Sequence, residues 1–143
     1  MKKKSLPLNN SPSSLDTPGL RIRAARNKAN FTIRELAALS GLTPETISMM
    51  ENGVHSPSLK SLRKISACLN SPTYFLGCFE TLPEDSFGEC LKKARLFRGF
   101  TKQEAALELG VDPKTLSKWE TNKGHPPDKY LDTILVFIKS IKK

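Results

Sequence analysis

The sequence is poor in the features that mark secreted, membrane-spanning or catalytic proteins. Among 143 residues there are three cysteines, Cys68, Cys78 and Cys90, an odd number with no C-x-x-C pair. That argues against a disulfide framework and predicts reduced thiols in a cytoplasm. No run of 18 apolar residues occurs, so no membrane span and no membrane partner are expected. Met1-Lys2-Lys3-Lys4 has the charge of a secretory leader, but no apolar stretch follows it, and secretion is not expected. Hydrophobic residues make up 38% and aromatics 7%, against about 45–50% apolar (Gly included) in an average globular chain. Small domains with thin cores fit this better than one thick core. There is no Gly-rich phosphate loop, catalytic triad or carboxylate pair. His55 and His125 have no cysteine or carboxylate partners at metal-ligand spacing. An enzymatic role, a metal, a cofactor and a small-molecule substrate are therefore not expected.

Acidic residues are also scarce, 14 against 23 Lys and Arg, for a net charge of +9. A small basic protein seeks an anionic partner: nucleic acid, an acidic membrane or an acidic protein. The charge is not confined to a tail. Residues 1–18, 19–80 and 81–143 are each net basic. Residues 1–18, rich in Ser, Pro and Asn, read as a disordered basic arm.

Beyond Gly19 the chain repeats itself. Shifted by 69 positions, Ile22–Leu69 lies on Leu91–Ile138 without a gap. The identities include Ala25/Ala94, Arg26/Arg95, Phe31/Phe100, Thr32/Thr101, Glu35/Glu104, Gly41/Gly110, Pro44/Pro113, Ser48/Ser117, Glu51/Glu120, Pro57/Pro126 and Ile65/Ile134. Most differences keep apolar with apolar, as in Ile47/Leu116 and Met50/Trp119. Two copies of one small domain are expected, at 19–80 and 87–143, with 81–86 as the linker. The whole join, Asn70–Ser86, is long enough to set two heads about 34 Å apart, one turn of DNA.

Each copy reads as helices, and no alternating strand pattern is present, so the fold class is all-α. Thr32-Ile33-Arg34-Glu35 and Thr101-Lys102-Gln103-Glu104 are capping boxes. The helices they open last about eight residues and meet Gly41 or Gly110, residues free to turn left-handed. Thr43-Pro44 and Asp112-Pro113 then start the next helices, an N-cap followed by proline at the first helical position. Upstream helices are expected at about 20–29 and 88–98, downstream ones at about 58–69 and 127–141. Ser71-Pro72 is expected to cap a further short helix ending near Gly77.

Two short helices joined by a tight glycine turn form a helix-turn-helix, here at about 33–52 and 102–121. The second helix stands proud and can enter a major groove, which is wide enough for one helix. The bland alternative is a plain helical bundle without a ligand. The doubled spacing of Thr-x-x-Glu, Gly, N-cap-Pro, Thr-x-Ser, Glu and Pro argues against it. These residues resemble the Cro/CI, or XRE-like, phage-repressor family over about 19–80 and 87–141. The resemblance implies two lambda-repressor-like domains of four to five helices each, acting in transcriptional control.

What the resemblance implies for single residues follows its motifs. An arginine of the first helix meets the glutamate that ends the reading helix: Arg26 with Glu51, and Arg95 with Glu120. Base edges are met from the first turn of the reading helix and one turn later. In copy one these positions are Pro44, Glu45, Ser48 and Met49, and in copy two Pro113, Lys114, Ser117 and Lys118. Lysine donates to guanine, glutamate accepts from cytosine, and methionine touches a thymine methyl. Thr32, Thr43, Thr46 and Asn52, and Thr101, Lys102, Gln103, Asp112, Thr115 and Lys123, complete the expected DNA-binding sets. Copy two, richer in lysine, is expected to be the stronger reader. Ile33 stands where copy two has Lys102, and with Glu45 and Met49 it leaves a protein-contact role open for copy one.

Trp119, in the slot of Met50, is expected in the core, and Cys68 as a small buried hydrophobe. The last helix carries a wide apolar band, Tyr130, Leu131, Ile134, Leu135, Val136, Phe137, Ile138 and Ile141. It is expected either to pack on Tyr74-Phe75-Leu76 or to pair two chains as a homodimer. Taken together, the sequence predicts a cytoplasmic, nucleoid-associated regulator that binds double-stranded DNA in a sequence-specific way, a repressor by steric block. The other reading is a protein-interaction module, such as an antitoxin or an adaptor of a DNA-bound complex.

Overall fold

The computed structural model describes residues 15–140. The N-terminal 14 residues, which include the three lysines of the basic arm, and Ile141 lie outside the described residues. Among the described residues there are nine α-helices, one 3-10 turn and no strand. Two compact units divide between Cys78 and Phe79.

The first unit holds α1 (Pro18–Lys28), α2 (Ile33–Ser40), α3 (Pro44–Glu51), α4 (Leu59–Leu69) and α5 (Thr73–Leu76). α2 packs on α3 and α4, and α1 packs on α3 and α5. Ile22, Leu36, Ile47, Leu62, Ile65 and Leu76 are fully buried between them. Each such side chain contributes about 1.5–3 kcal/mol relative to exposure.

The second unit repeats the plan with α6 (Phe87–Phe97), α7 (Lys102–Leu109), α8 (Pro113–Glu120) and α9 (Asp128–Lys139). Its core is Leu91, Ala94, Ala105, Ala106, Leu109, Leu116, Trp119, Ile134 and Phe137. The two cores are filled by different residues. Ala105 replaces Leu36, while Trp119 and Phe137 replace Met50 and Cys68. Trp119 is 4% exposed, as its apolar slot predicts. Cys68, expected to be buried, is only half-buried, whereas Cys78 is buried.

Both turns end as their glycines require. Gly41 and Gly110 are left-handed, at φ +79° and +78°. Helix starts run ahead of the sequence reading, because two caps went unread. Thr17 accepts the Leu20 N–H, with Pro18 in the first turn of α1. Ser86 and Glu89 form a capping box that opens α6. At α5 the cap reading fails: the N-cap is Pro72, with no side-chain bond. The cap position falls one residue later than read, on Pro72, whose ring has no acceptor to offer.

The join between the copies is structured, not a free span. α5 packs on α1 and α4, and Leu76 is fully buried. Arg21 donates to Phe75 O at 2.7 Å and stacks 4.5 Å over the Phe75 ring. The Tyr74-Phe75-Leu76 segment is thus spent inside the first unit. On the other side, a 3-10 turn at Phe79–Thr81 packs on α6, and Glu84 pairs with the buried Lys93 at 2.8 Å. Only Gly77 and Cys78 separate α5 from that turn, so most of Asn70–Ser86 is packed on one unit or the other.

Candidate nucleic-acid interface

The second helix of each helix-turn-helix, α3 or α8, is held from behind by an Arg–Glu ion pair. In the second unit Arg95 Nε lies 2.7 Å from Glu120 Oε2, and Nη2 lies 3.1 Å from Oε1. The remaining Arg95 nitrogen, Nη1, donates to Phe100 O at 3.0 Å. Both side chains are below 10% exposed. This is bidentate geometry with the guanidinium's third edge also satisfied. The first unit repeats it: Arg26 Nε to Glu51 Oε2 at 2.7 Å, Nη2 to Oε1 at 3.0 Å, and Nη1 to Phe31 O at 2.8 Å. A glutamate locked in this way is neutralised at the end of a helix that would otherwise carry its charge towards phosphate.

Two glycines that the repeat alignment did not reach set the distance. Gly19 and Gly88 occupy equivalent places at the starts of α1 and α6. A Cβ on Gly88 would lie 2.4 Å from Glu120 O and 2.6 Å from Trp119 O; on Gly19 it would lie 2.1 Å from Met50 O. The first helix of each unit therefore rests backbone-to-backbone on the last turn of α3 or α8. Continuing the 69-residue shift three positions upstream of Ile22 would have found the pair.

The front of each unit differs. In the second, Lys102, Gln103, Pro113, Lys114, Lys118 and Lys123 are exposed, and Ser117 is half-buried. Lys102 stands in the first turn of α7, Lys114 and Lys118 are one helical turn apart on α8, and Lys123 lies in the loop after it. Thr101 and Asp112 are spent on caps: Thr101 Oγ1 accepts from Glu104 N at 3.1 Å, and Asp112 Oδ1 from Thr115 N at 2.8 Å. The Thr115 N–H holds the Asp112 carboxyl below its usual pKa, with the Thr115 hydroxyl and Lys114 acting in the same direction.

In the first unit, Thr32 caps α2 through Glu35 N at 3.0 Å, and Thr43 caps α3 through Thr46 N at 3.1 Å while its hydroxyl pairs with that of Thr46 at 2.8 Å. Asn52 is held from behind, its Oδ1 accepting from Arg23 Nη2 at 2.6 Å and its Nδ2 reaching Ser48 Oγ at 3.3 Å. Arg23 also meets Glu51 at 3.3 Å. Lys92 holds the equivalent place in the second unit, so this extra clamp is specific to copy one and invisible from the repeat. Ile33, Arg34, Pro44, Glu45, Ser48 and Met49 line one shallow concavity across α2 and α3. The structure thus brings Pro44, Glu45, Ser48 and Met49 together and sets Asn52 beside Ser48. Arg34, not singled out in the sequence, joins them as the cation of that face.

The doubled unit, its back-locked second helix and its glycine turn define a helix-turn-helix DNA-binding protein. Comparison with known proteins agrees. The model of the Helix-turn-helix family, of Cro/CI (XRE-like) type, matches residues 22–76 and 91–139, and the chain belongs to that family. The chain is 43% identical over 51 residues to an uncharacterized HTH-type transcriptional regulator of Archaeoglobus fulgidus, across 36% of this chain and 72% of that protein. No solved structure matches the chain. It is a DNA-binding transcriptional regulator. No helix among the described residues is long and apolar enough to cross a membrane.

Proposed function

We propose that the chain binds double-stranded DNA sequence-specifically through both reading helices, with the second unit dominant, and represses by occupying a promoter at the nucleoid. The observation that carries this is the front of the second unit. Four exposed lysines surround a rigidly backed α8, and among the described residues none of the four has an ion-pair partner. Lys114 and Lys118 would then donate to guanine edges, and Lys102 and Lys123 would meet the flanking phosphates. The first unit offers Glu45, Ser48 and Met49, groups that suit cytosine and thymine. Its affinity would then rest on Arg34 and on its tether to the second unit.

A second reading is favoured by one observation: the concavity of copy one is lined by Ile33, Pro44 and Met49. Apolar lining of that kind suits a protein partner, as in an adaptor of a DNA-bound complex, better than phosphate. Salt separates the two. If two to four lysines neutralise phosphates, log K for duplex DNA falls against log salt with a slope of about −2 to −4. A slope near zero would remove the DNA reading of the chain and favour the apolar contact.

A further inference from the structure

The Arg26–Glu51 lock of the first unit does not end at Glu51. Glu51 Oε1 also accepts from Arg23 Nε at 3.3 Å, which anchors that guanidinium. Arg23 Nη2 then donates to Asn52 Oδ1 at 2.6 Å. A guanidinium carries donors only, so the Asn52 atom that faces it is the carbonyl oxygen, not the amide nitrogen. The amide nitrogen is left facing Ser48 Oγ, one helical turn back, at 3.3 Å. An amide NH2 only donates, so Ser48 Oγ accepts. The Ser48 proton is thereby turned away from Asn52, and among the described residues it makes no hydrogen bond of its own. Ser48 is half-buried and lines the concavity of α2 and α3 with Pro44, Glu45 and Met49. The second unit is built otherwise. Lys92 stands for Arg23 and Thr121 for Asn52. Thr121 Oγ1 donates to the backbone, to Ser117 O at 2.9 Å, so it leaves the Ser117 hydroxyl free to turn.

We infer that Arg23 and Asn52 set the polarity of Ser48, making it an obligate donor that selects a base with a major-groove acceptor and rejects cytosine. The inference rests on the proposed reading of DNA by the first unit. Guanine offers O6 and N7, adenine N7 and thymine O4, whereas cytosine offers only its N4 donor. A cytosine facing Ser48 would set donor against donor and leave both unpaired in the groove. Arg23 and Asn52 need not touch that base; they act through Ser48 as positioning residues. The acceptor on this face is Glu45, so cytosine belongs opposite Glu45 and not opposite Ser48. Ser117, with its hydroxyl unset, donates or accepts as the base requires and tolerates all four.

Competition binding by the full chain tests this, with duplexes of its selected sequence that differ at one base pair. Ser48→Ala identifies the pair, as the one whose preference it removes. The unaltered chain should disfavour cytosine there by about threefold to tenfold. Arg23→Met frees the Asn52 amide to turn over, and cytosine should become as good as the other bases. Asn52→Asp is the reversal. Its carboxylate has no donor, so the Ser48 proton turns to it and Oγ faces the DNA as an acceptor. Total affinity should fall, because a carboxylate joins the face. The order should nevertheless invert, with cytosine and adenine, which offer amino groups, above guanine and thymine. Circular dichroism should show the variants folded, since Asn52 is exposed and the Arg23 side chain is 41% exposed. If Ser48→Ala changes no position, the first unit does not read through Ser48, and the proposal falls with the reading beneath it. If Ser48→Ala removes a preference but cytosine was already accepted there, the DNA reading stands and the polarity relay is overturned. The same holds if either Arg23→Met or Asn52→Asp leaves the order of bases as it was.

Discussion

Gly88→Ala separates helix propensity from packing, because the two predict opposite signs. Alanine in place of glycine in a helix gains at most about 1 kcal/mol. The added Cβ, however, would lie 2.4 Å from Glu120 O and 2.6 Å from Trp119 O. An ordinary carbon–oxygen approach is about 3.3 Å or more, so α6 must retreat from α8 by close to an ångström. Overpacking a close contact costs about 1–3 kcal/mol, and the upper end applies because both obstructing atoms are backbone. The net expectation is a loss of about 2 kcal/mol in the second unit. For a unit of roughly 60 residues that lowers the melting temperature by about 8–16 °C. Trp119, the sole tryptophan and 4% exposed, reports that transition by fluorescence. Gly19→Ala, which strikes α1 against α3, should leave the Trp119 transition in place while lowering the helical signal of the first unit. An unchanged or raised melting temperature for Gly88→Ala would refute the close approach of α6 to α8.

Glu120→Ala strands the buried Arg95 and should cost about 3–5 kcal/mol in urea unfolding; adding Arg95→Met should recover much of it, since no buried charge is then left unpaired. The Asp112 carboxyl is held below 3.8 in the folded state. Its cap on α8 should therefore be fully present above the ordinary aspartate range and be lost as pH falls below about 4. Asp112→Ser should remove that acid dependence from the Trp119 transition, whereas Thr43, the matching cap in copy one, contributes none. Lys118→Ala should weaken DNA binding and relax preference at one base pair, by about 1–3 kcal/mol of discrimination. Lys102→Ala should weaken all sequences alike and make the salt slope shallower by about one; equal loss of specificity from both in competition binding would count against these roles.

The scaffold was legible because its signals are local. Capping boxes, left-handed glycines and proline at the first helical position each act within four residues, and the 69-residue repeat doubled every one of them. The Arg–Glu locks were legible only through family resemblance, since Arg95 and Glu120 are 25 positions apart. What escaped the sequence depends on contacts at long range. Gly19 and Gly88 look like ordinary glycines until α1 and α6 are laid on the reading helices. Arg23 looks like a free surface charge until Asn52 meets it at 2.6 Å. The short helix before Gly77 was legible from Ser71-Pro72, but its anchoring on the first unit by Phe75 and Leu76 depends on contacts with α1 and α4 that no local signal carries.

Selection from a random duplex library with the full chain, at near-physiological salt, tests the central claim most directly. The account predicts an enriched motif whose strongest positions are guanine-bearing and are lost with Lys114→Ala and Lys118→Ala together. Weaker flanking positions should respond to Glu45→Ala and Met49→Ala. Bulk, salt-sensitive binding with no enriched sequence would contradict it.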